Sequence, residues 1–286
     1  ALTVIEDLGT WDTSKVTNMD GMFIYAGYSN PNFTLNIGDI DTRNVTAMSG
    51  MFSGIAHNNK EFTLDISHLE VPKLLNTSWM FSSMGKNCET LTIILGDFDT
   101  SNVGNMEGMF YETGYNTNEL NIDLSKISFT KAYNTATMFY STGYNNEKLN
   151  LTITIDSPYI TTYTSMFGDV ALNGNSKITV NYNSATEALV EEMINTKTEG
   201  SNVVKGWNAS KQITFTVEGT TYNSYENMTW EQWMNSEFNA GNFYQNGLRI
   251  ETVVDSYQKN IGSTEFQVRA RDYIVANHNY ILQDPK

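Results

Sequence analysis

The sequence predicts an α/β repeat solenoid followed by a small α+β domain. The first observation is a Met-Phe pair that recurs six times, at separations of 29, 29, 29, 29 and 28 residues. The second is that other apolar residues keep the same phase, as in the column Phe33, Phe62, Leu91, Leu120 and Leu149. A fixed period of this length with apolar columns is typical of solenoids, in which each unit buries its apolar face against its neighbours. The pairs are Met22-Phe23, Met51-Phe52, Met80-Phe81, Met109-Phe110, Met138-Phe139 and Met166-Phe167.

Each unit begins with a predicted strand. Phe33, Leu35 and Ile37 alternate with polar residues, which is the period of a strand with one buried face. Gly38 ends the strand. The polar stretch 41–44 (Asp-Thr-Arg-Asn) then predicts a turn, because short polar side chains bond to nearby backbone amides.

A helical turn is predicted to follow the polar stretch. Val45, Met48, Met51 and Phe52 follow one another at spacings of 3, 3 and 1, which suits a helical or 3₁₀ turn with one apolar edge. One parallel strand and one helical turn per 29 residues is the arrangement of leucine-rich repeats. Small residues close the turn in phase: Gly27, Ala56, Gly85, Gly114 and Gly143.

The predicted solenoid occupies residues 1–200 and ends in a helix. Ser184-Ala185-Thr186-Glu187 matches a capping box, so we expect a capping helix near 184–195. The polar stretch 196–210 is the predicted domain boundary. Residues 211–286 then predict a small α+β domain of four or five strands and one helix, with a grasp-like fold as one alternative.

Two stretches carry a family resemblance. Residues 11–23 (WDTSKVTNMDGMF) and 98–110 (FDTSNVGNMEGMF) resemble the BspA-like leucine-rich repeats of bacterial surface proteins. The resemblance covers about residues 8–182, and it implies a role in adhesion. The third and fifth repeat units depart from this sequence motif, and the sixth unit is one residue shorter.

A second resemblance concerns the C-terminal domain. Residues 219–222 (GTTY), followed by Met228-Thr229-Trp230 and Trp233, resemble a small module of bacteriophage tail and virion-associated proteins. This resemblance implies a location on a phage particle. The two tryptophans also suit an ordinary core.

Composition limits the partners of the chain. Seventeen basic and 32 acidic side chains give a formal net charge of -15, which would repel a nucleic-acid phosphate backbone. No stretch approaches 18 continuous apolar residues, so no membrane insertion is expected. Cys88 is the single cysteine, and its column of Asn30, Asn59, Thr117 and Asn146 favours a small residue that fills a repeat position.

Catalytic motifs are not found in the sequence. His57, His68 and His278 do not have metal-ligand spacing, and there is no phosphate loop, nucleophile elbow or dinucleotide fingerprint. We therefore predict a protein that is not an enzyme and that has no metal and no cofactor. The turn residues Asp39 and Asp41 do not match a calcium loop.

Outward-facing strand residues form the first candidate binding site. If Leu64 points inward, its neighbours Thr63 and Asp65 point outward, and Asn121 and Asp123 occupy the same phase two units later. This sheet face is polar and weakly acidic, and solenoids often bind partners on such faces. The alternative is a solvated sheet without a ligand.

Tyrosines form the second candidate binding site. Tyr111 and Tyr140 are in phase, as are Tyr115 and Tyr144, so the four should cluster beside the Met-Phe turns. Tyrosine suits contact with sugar rings or protein loops. The alternative is that the tyrosines stack only to stabilise neighbouring repeats.

The functional hypothesis is a non-enzymatic, extracellular adhesion or receptor-binding protein that recognises a host protein or glycan. It would be displayed on a bacterial surface or on a phage virion, and a homo-oligomer is expected in the virion case. One alternative is a structural spacer or virion assembly protein without a ligand. Another is a glycan hydrolase with Asp65 and Asp123 as paired carboxylates about 10 Å apart, which is near the upper edge for an inverting pair.

Overall fold

The computed structural model describes residues 4–5, 8–173, 175–217 and 220–226, with the backbone alone after residue 210. The chain divides into two compact units, residues 1–180 with 188–205 and residues 181–187 with 206–286. The helix and the later strands predicted for residues 227–286 lie outside the described residues.

The first unit is a parallel β-solenoid of about seven turns with few helices. Equivalent residues of neighbouring strands pair 29 positions apart, as Phe62 pairs with Leu91 and Leu91 with Leu120. The prediction of one short parallel strand per repeat is therefore confirmed. The strands are β1 (Val4–Ile5), β2 (Thr34–Leu35), β3 (Glu61–Asp65), β4 (Thr90–Ile94), β5 (Glu119–Ile122), β6 (Asn150–Ile155) and β7 (Lys177–Tyr182).

The predicted helical turn is wrong. The segments 18–27, 47–56, 76–85, 105–114, 134–143 and 162–171, here called the Met-Phe segments, are not helices. Alternate amides bond to the next coil, as when Phe52 N–H donates to Met80 O at 2.9 Å. The amides between them close short turns, as when Met51 N–H donates to Met48 O at 3.2 Å. Each segment thus joins a second parallel ladder, which makes the unit mostly sheet.

Left-handed backbone explains why no helix forms. Within one Met-Phe segment, Gly50, Gly54 and Ala56 have φ values of 59°, 65° and 50°. A right-handed helix requires negative φ at every residue, so these positions interrupt it. A series of short turns can place apolar residues at spacings of 3, 3 and 1, just as a helical turn can. The spacing alone therefore led to the wrong prediction of a helical turn.

The apolar columns share one interior. The Met-Phe phenylalanines stack in a continuous column, with ring centroids 5.2–5.9 Å apart along Phe23, Phe52, Phe81, Phe110, Phe139 and Phe167. In the second to sixth Met-Phe pairs, the methionine is fully buried as well. Cys88 is buried in the same interior, and burial raises the pKa of its thiol to about 11.

A helix follows the last coil, as predicted. Helix α1 spans Glu187–Ile194, and Val190, Met193 and Ile194 are buried. After α1, the hydroxyl oxygens of Thr196 and Thr198 accept the amides of Phe167 and Asp169 at 3.1 and 2.9 Å. These hydroxyls replace the carbonyl oxygens that a further coil would supply.

Strand β8 (Val203–Val217) begins within the stretch 196–210, which is the predicted domain boundary. Val203 and Trp207 are buried there, so part of this polar stretch packs into the interior. In the second unit, β8 pairs antiparallel with β9 (Thr220–Glu226), with Phe215 opposite Tyr222. Strand β9 and the second half of β8 lie within the range 211–286, for which a small α+β domain is predicted.

Candidate functional site

The backbone ladder fixes the positions of the four predicted tyrosines. The carbonyl oxygen of Tyr111 accepts the Ser83 amide at 2.7 Å, and that of Tyr140 accepts the Glu112 amide at 2.8 Å. Equivalent side chains therefore leave the solenoid side by side. We call Tyr111, Tyr115, Tyr140 and Tyr144 the tyrosine surface.

The tyrosine rings stack face to face along the solenoid. The centroids of Tyr111 and Tyr140 are 5.3 Å apart with an interplanar angle of 10°. Those of Tyr115 and Tyr144 are 4.6 Å apart with an angle of 2°. Stacking covers one face of each half-buried ring, while Trp79 packs against Tyr111 and Lys86 lies over Tyr115, so the solvent meets much of the edges and hydroxyl groups.

An ion pair links the two tyrosine stacks. Lys86 Nζ lies 2.7 Å from Glu112 Oε2, and Ser83 Oγ donates to the same carboxylate at 3.2 Å. Lys86 Nζ also lies 4.9 Å from the centroid of the Tyr115 ring, within the range of a cation–π contact. The tyrosine surface thus contains a partly buried cation held in a fixed position.

The hydroxyl groups of Tyr111, Tyr115 and Tyr140 keep their protons at neutral pH. A hydrogen bond to Asp169 raises the pKa of Tyr140, and burial raises the pKa of Tyr111 and of Tyr115. Raised values lie further from neutrality than the ordinary tyrosine value of about 10. The hydroxyl groups of Tyr111 and Tyr115 can therefore act as hydrogen-bond donors, whereas that of Tyr140 already donates to Asp169.

An asparagine ladder lies directly beside the tyrosine surface, and the sequence analysis missed it. Asn116 Nδ2 donates to Asn87 Oδ1 at 2.7 Å, and Asn145 Nδ2 donates to Asn116 Oδ1 at 2.6 Å. The same 29-residue spacing in the sequence could have revealed it. The asparagine ladder consists of Asn58, Asn87, Asn116, Asn145 and Asn173.

Three predicted sheet-face residues, Thr63, Asp65 and Asn121, lie on strands β3 and β5, and Asp123 directly follows β5. Thr63 and Asn121 flank Thr92, and Asn121 Nδ2 donates to Thr92 Oγ1 at 3.4 Å. Asp65 pairs with the exposed Ile94, and Asp123 follows Ile122 on the other side of β4. The polar, outward-facing sheet is therefore present as predicted.

Asp65 and Asp123 take part in local turns. Asp65 Oδ1 accepts Ser67 N–H at 3.0 Å and Ser67 Oγ–H at 2.7 Å, and Asp123 Oδ1 accepts Ser125 N–H at 2.9 Å. The hydrogen bond from the Ser67 side chain lowers the pKa of Asp65. A general acid in glycoside hydrolysis needs a raised pKa, so this environment suits Asp65 as a turn residue rather than as an acid.

Two kinds of site are absent from the described part of the chain: a group of metal ligands and a membrane-spanning helix. Among the described residues, no three His, Cys, Asp or Glu side chains are grouped so that they could hold a metal ion. No helix within that same part has the length and apolar character needed to cross a membrane.

Comparisons with known proteins identify the repeat family. A family model described as "Mycoplasma protein of unknown function, DUF285" matches residues 1–112 and residues 82–179. Searches of curated proteins and of solved structures gave no match. The two matched ranges overlap and together extend over more than half of the chain, along the part that forms the solenoid. The chain therefore belongs to the DUF285 family, a family of BspA-like repeat type.

Proposed function

We propose that the protein is a non-enzymatic, extracellular binding protein that recognises a host protein or glycan through the tyrosine surface. One observation carries this proposal. Tyrosine edges, the Lys86–Glu112 pair and the asparagine ladder form one polar, partly exposed surface that crosses consecutive coils at a fixed spacing. The rigid ladder beneath it holds these groups in place before a partner arrives, which reduces the entropy cost of binding.

The chemistry of this surface favours a polar partner. Stacking covers one face of each tyrosine ring, and Lys86 lies over the other face of Tyr115, so recognition depends mainly on hydrogen bonds from hydroxyl and amide groups. The spacing between strands of a sheet is about 4.8 Å, so equivalent groups recur at nearly the length of one sugar residue. A hydroxyl-rich glycan or a polar protein loop matches such a surface.

The extracellular location is part of the proposal. The BspA-like repeat type supports display on a bacterial surface, whereas the resemblance of residues 219–233 supports a phage virion. Light scattering distinguishes the two, because a virion protein is expected to form a symmetric oligomer. The net charge of -15 disfavours nucleic acid as the partner in either case.

Paired substitutions test the proposal. Tyr115→Phe with Tyr144→Phe keeps the stack but removes two hydroxyl groups, so binding to host cells should weaken about tenfold, which corresponds to the loss of one or two hydrogen bonds. Tyr159→Phe is the matched control, because Tyr159 is exposed at 73% and lies outside the tyrosine surface. Flow cytometry and a glycan array measure the binding. Unchanged binding by the double variant would contradict the proposal.

A structural spacer is the second candidate function. Stacking and ladder formation stabilise a solenoid whether or not a ligand exists, by about 0.5–1.5 kcal/mol per aromatic pair. Under this alternative, Tyr115→Ala with Tyr144→Ala lowers the free energy of unfolding but leaves attachment to host cells unchanged.

A further inference from the structure

The central side chains of the asparagine ladder keep unused hydrogen-bonding groups. An asparagine amide has two N–H donors and an oxygen that accepts two hydrogen bonds. Asn116 uses one N–H to reach Asn87 Oδ1 at 2.7 Å, and its own oxygen accepts one N–H of Asn145 at 2.6 Å. Within the described part of the chain, neither Asn116 nor Asn145 uses its second side-chain N–H. Both residues are exposed, so each presents a free donor and a free acceptor position to solvent.

All amides of the ladder point in one direction. Each donates to the asparagine of the preceding coil, from Asn173 to Asn145 at 3.3 Å and from Asn87 to Asn58 at 2.9 Å. The free groups of the central asparagines therefore recur in one orientation at the spacing of neighbouring strands, about 4.8 Å. A linear polymer with one amide on each unit of similar length matches this order.

Spacing and charge favour a neutral glycan over other polymers. An extended polypeptide rises about 3.4 Å per residue, so amides on one side of it recur at about 6.8 Å and do not keep step with the ladder. The net charge of -15 repels an anionic glycan. The ladder itself is uncharged, and the neighbouring Lys86 is paired with Glu112 at 2.7 Å. A neutral sugar polymer therefore fits the surface best.

The tyrosines beside the ladder add an apolar contact. Tyr115 and Tyr144 directly precede Asn116 and Asn145, so a half-buried ring lies beside each central amide. An acetamido group on a sugar has an N–H donor, a carbonyl acceptor and a methyl group. The asparagine amides complement the donor and the acceptor, and the tyrosine ring edges offer an apolar surface to the methyl group. The surface thus has a complement for each part of an acetamido group.

We infer that the asparagine ladder selects glycans built from N-acetylated amino sugars, which deepens the proposed function of the same surface and rests on it. The acetamido carbonyl accepts the free N–H of one asparagine, and the acetamido N–H donates to the oxygen of another. The asparagines are already bonded to one another, at 2.6 Å and 2.7 Å on either side of Asn116. They are therefore ordered before the glycan arrives, and little side-chain entropy is lost on binding.

Two matched oligosaccharides test the inference. A β-1,4 oligomer of N-acetylglucosamine and a cello-oligosaccharide of the same length share one backbone and differ only where an acetamido group replaces a hydroxyl group. Isothermal titration calorimetry should show that the protein binds the N-acetylated oligomer at least about tenfold more tightly, because only the acetamido group offers both the amide bonds and the methyl contact. Neither oligomer is charged, so the difference should persist at high salt.

Protein variants locate the selectivity on the ladder. Asn116→Ala with Asn145→Ala should abolish the tenfold preference, whereas Asn118→Ala should keep it, because Asn118 is exposed outside the ladder. Circular dichroism verifies folding, and Asn145→Ala alone serves the same purpose if the double variant fails to fold. Equal binding of the two oligosaccharides, binding of neither, or an unchanged preference in the folded ladder variants would overturn the inference. The proposed function fails separately, when Tyr115→Phe with Tyr144→Phe leaves binding to host cells unchanged.

Discussion

At the scale of single residues, the solenoid tolerates left-handed backbone at residues other than glycine. Thr137 has a φ of 53°, at a repeat position that holds glycine in three other coils. Its hydroxyl is buried without a hydrogen-bond partner. A β-branched residue at positive φ is disfavoured because Cβ approaches the backbone oxygen, at a cost of about 1–2 kcal/mol. The ladder bond from Thr137 N–H to Thr164 O, at 2.9 Å, holds the residue in place.

Thr137→Gly should therefore stabilise the protein. We expect the free energy of unfolding to rise by about 1 kcal/mol, because relief of the strained φ exceeds the added entropy of the unfolded chain. Gly108→Ala is the converse control, because it adds a Cβ at the same repeat position instead of removing one. It should lower the free energy of unfolding by about 2 kcal/mol, because its Cβ would overlap the Trp79 ring. Urea denaturation measures both, and a destabilised Thr137→Gly variant would contradict the strain argument.

At the scale of elements, the asparagine ladder depends on each amide being both donor and acceptor. Asn116 donates to Asn87 Oδ1 and accepts from Asn145 Nδ2. Asn116→Asp would place a carboxylate oxygen against the oxygen of Asn87, so we expect a loss of about 1 kcal/mol at neutral pH.

This loss should depend on pH in a defined direction. The protonated carboxyl can donate to Asn87, so the folded state raises the pKa of the new Asp above the unfolded value of about 4. The destabilisation is then absent below pH 4 and appears as the pH rises through the folded pKa. Urea denaturation at several pH values measures it, with Asn118→Asp, an exposed position outside the ladder, as the control. A loss independent of pH would contradict the ladder model.

The elements also show where sequence patterns lead to the structure and where they do not. The alternation of Phe62 and Leu64 predicts β3, because period 2 belongs to strands alone. The apolar spacing of the Met-Phe segments fits helices and short turns equally well. The left-handed φ of Gly50 and Gly54, which decides between them, arises from ladder bonds to the next coil and leaves only a weak trace in the sequence.

At the scale of the whole molecule, the 29-residue period predicts the shared interior and the paired tyrosines, both of which the structure shows. Stacking order follows from the repeat, since equivalent residues of neighbouring coils must meet. The orientation of the rings could not be predicted, because it depends on the direction in which each side chain leaves the turn. Lys86 shares the repeat position of Tyr115, three positions after that of Glu112, so the ion pair joins two different repeat positions and the periodic argument did not predict it.

The central structural claim is that alternate amides of the Met-Phe segments bond to the following coil, which holds the tyrosine surface rigid. Scalar couplings across hydrogen bonds, measured by NMR on the isotope-labelled protein, test it directly. We predict a coupling from the amide nitrogen of Phe81 to the carbonyl carbon of Met109, whose oxygen lies 2.9 Å from that nitrogen. A coupling from Phe81 to the carbonyl carbon of Thr77 instead would indicate a helix and would contradict the account.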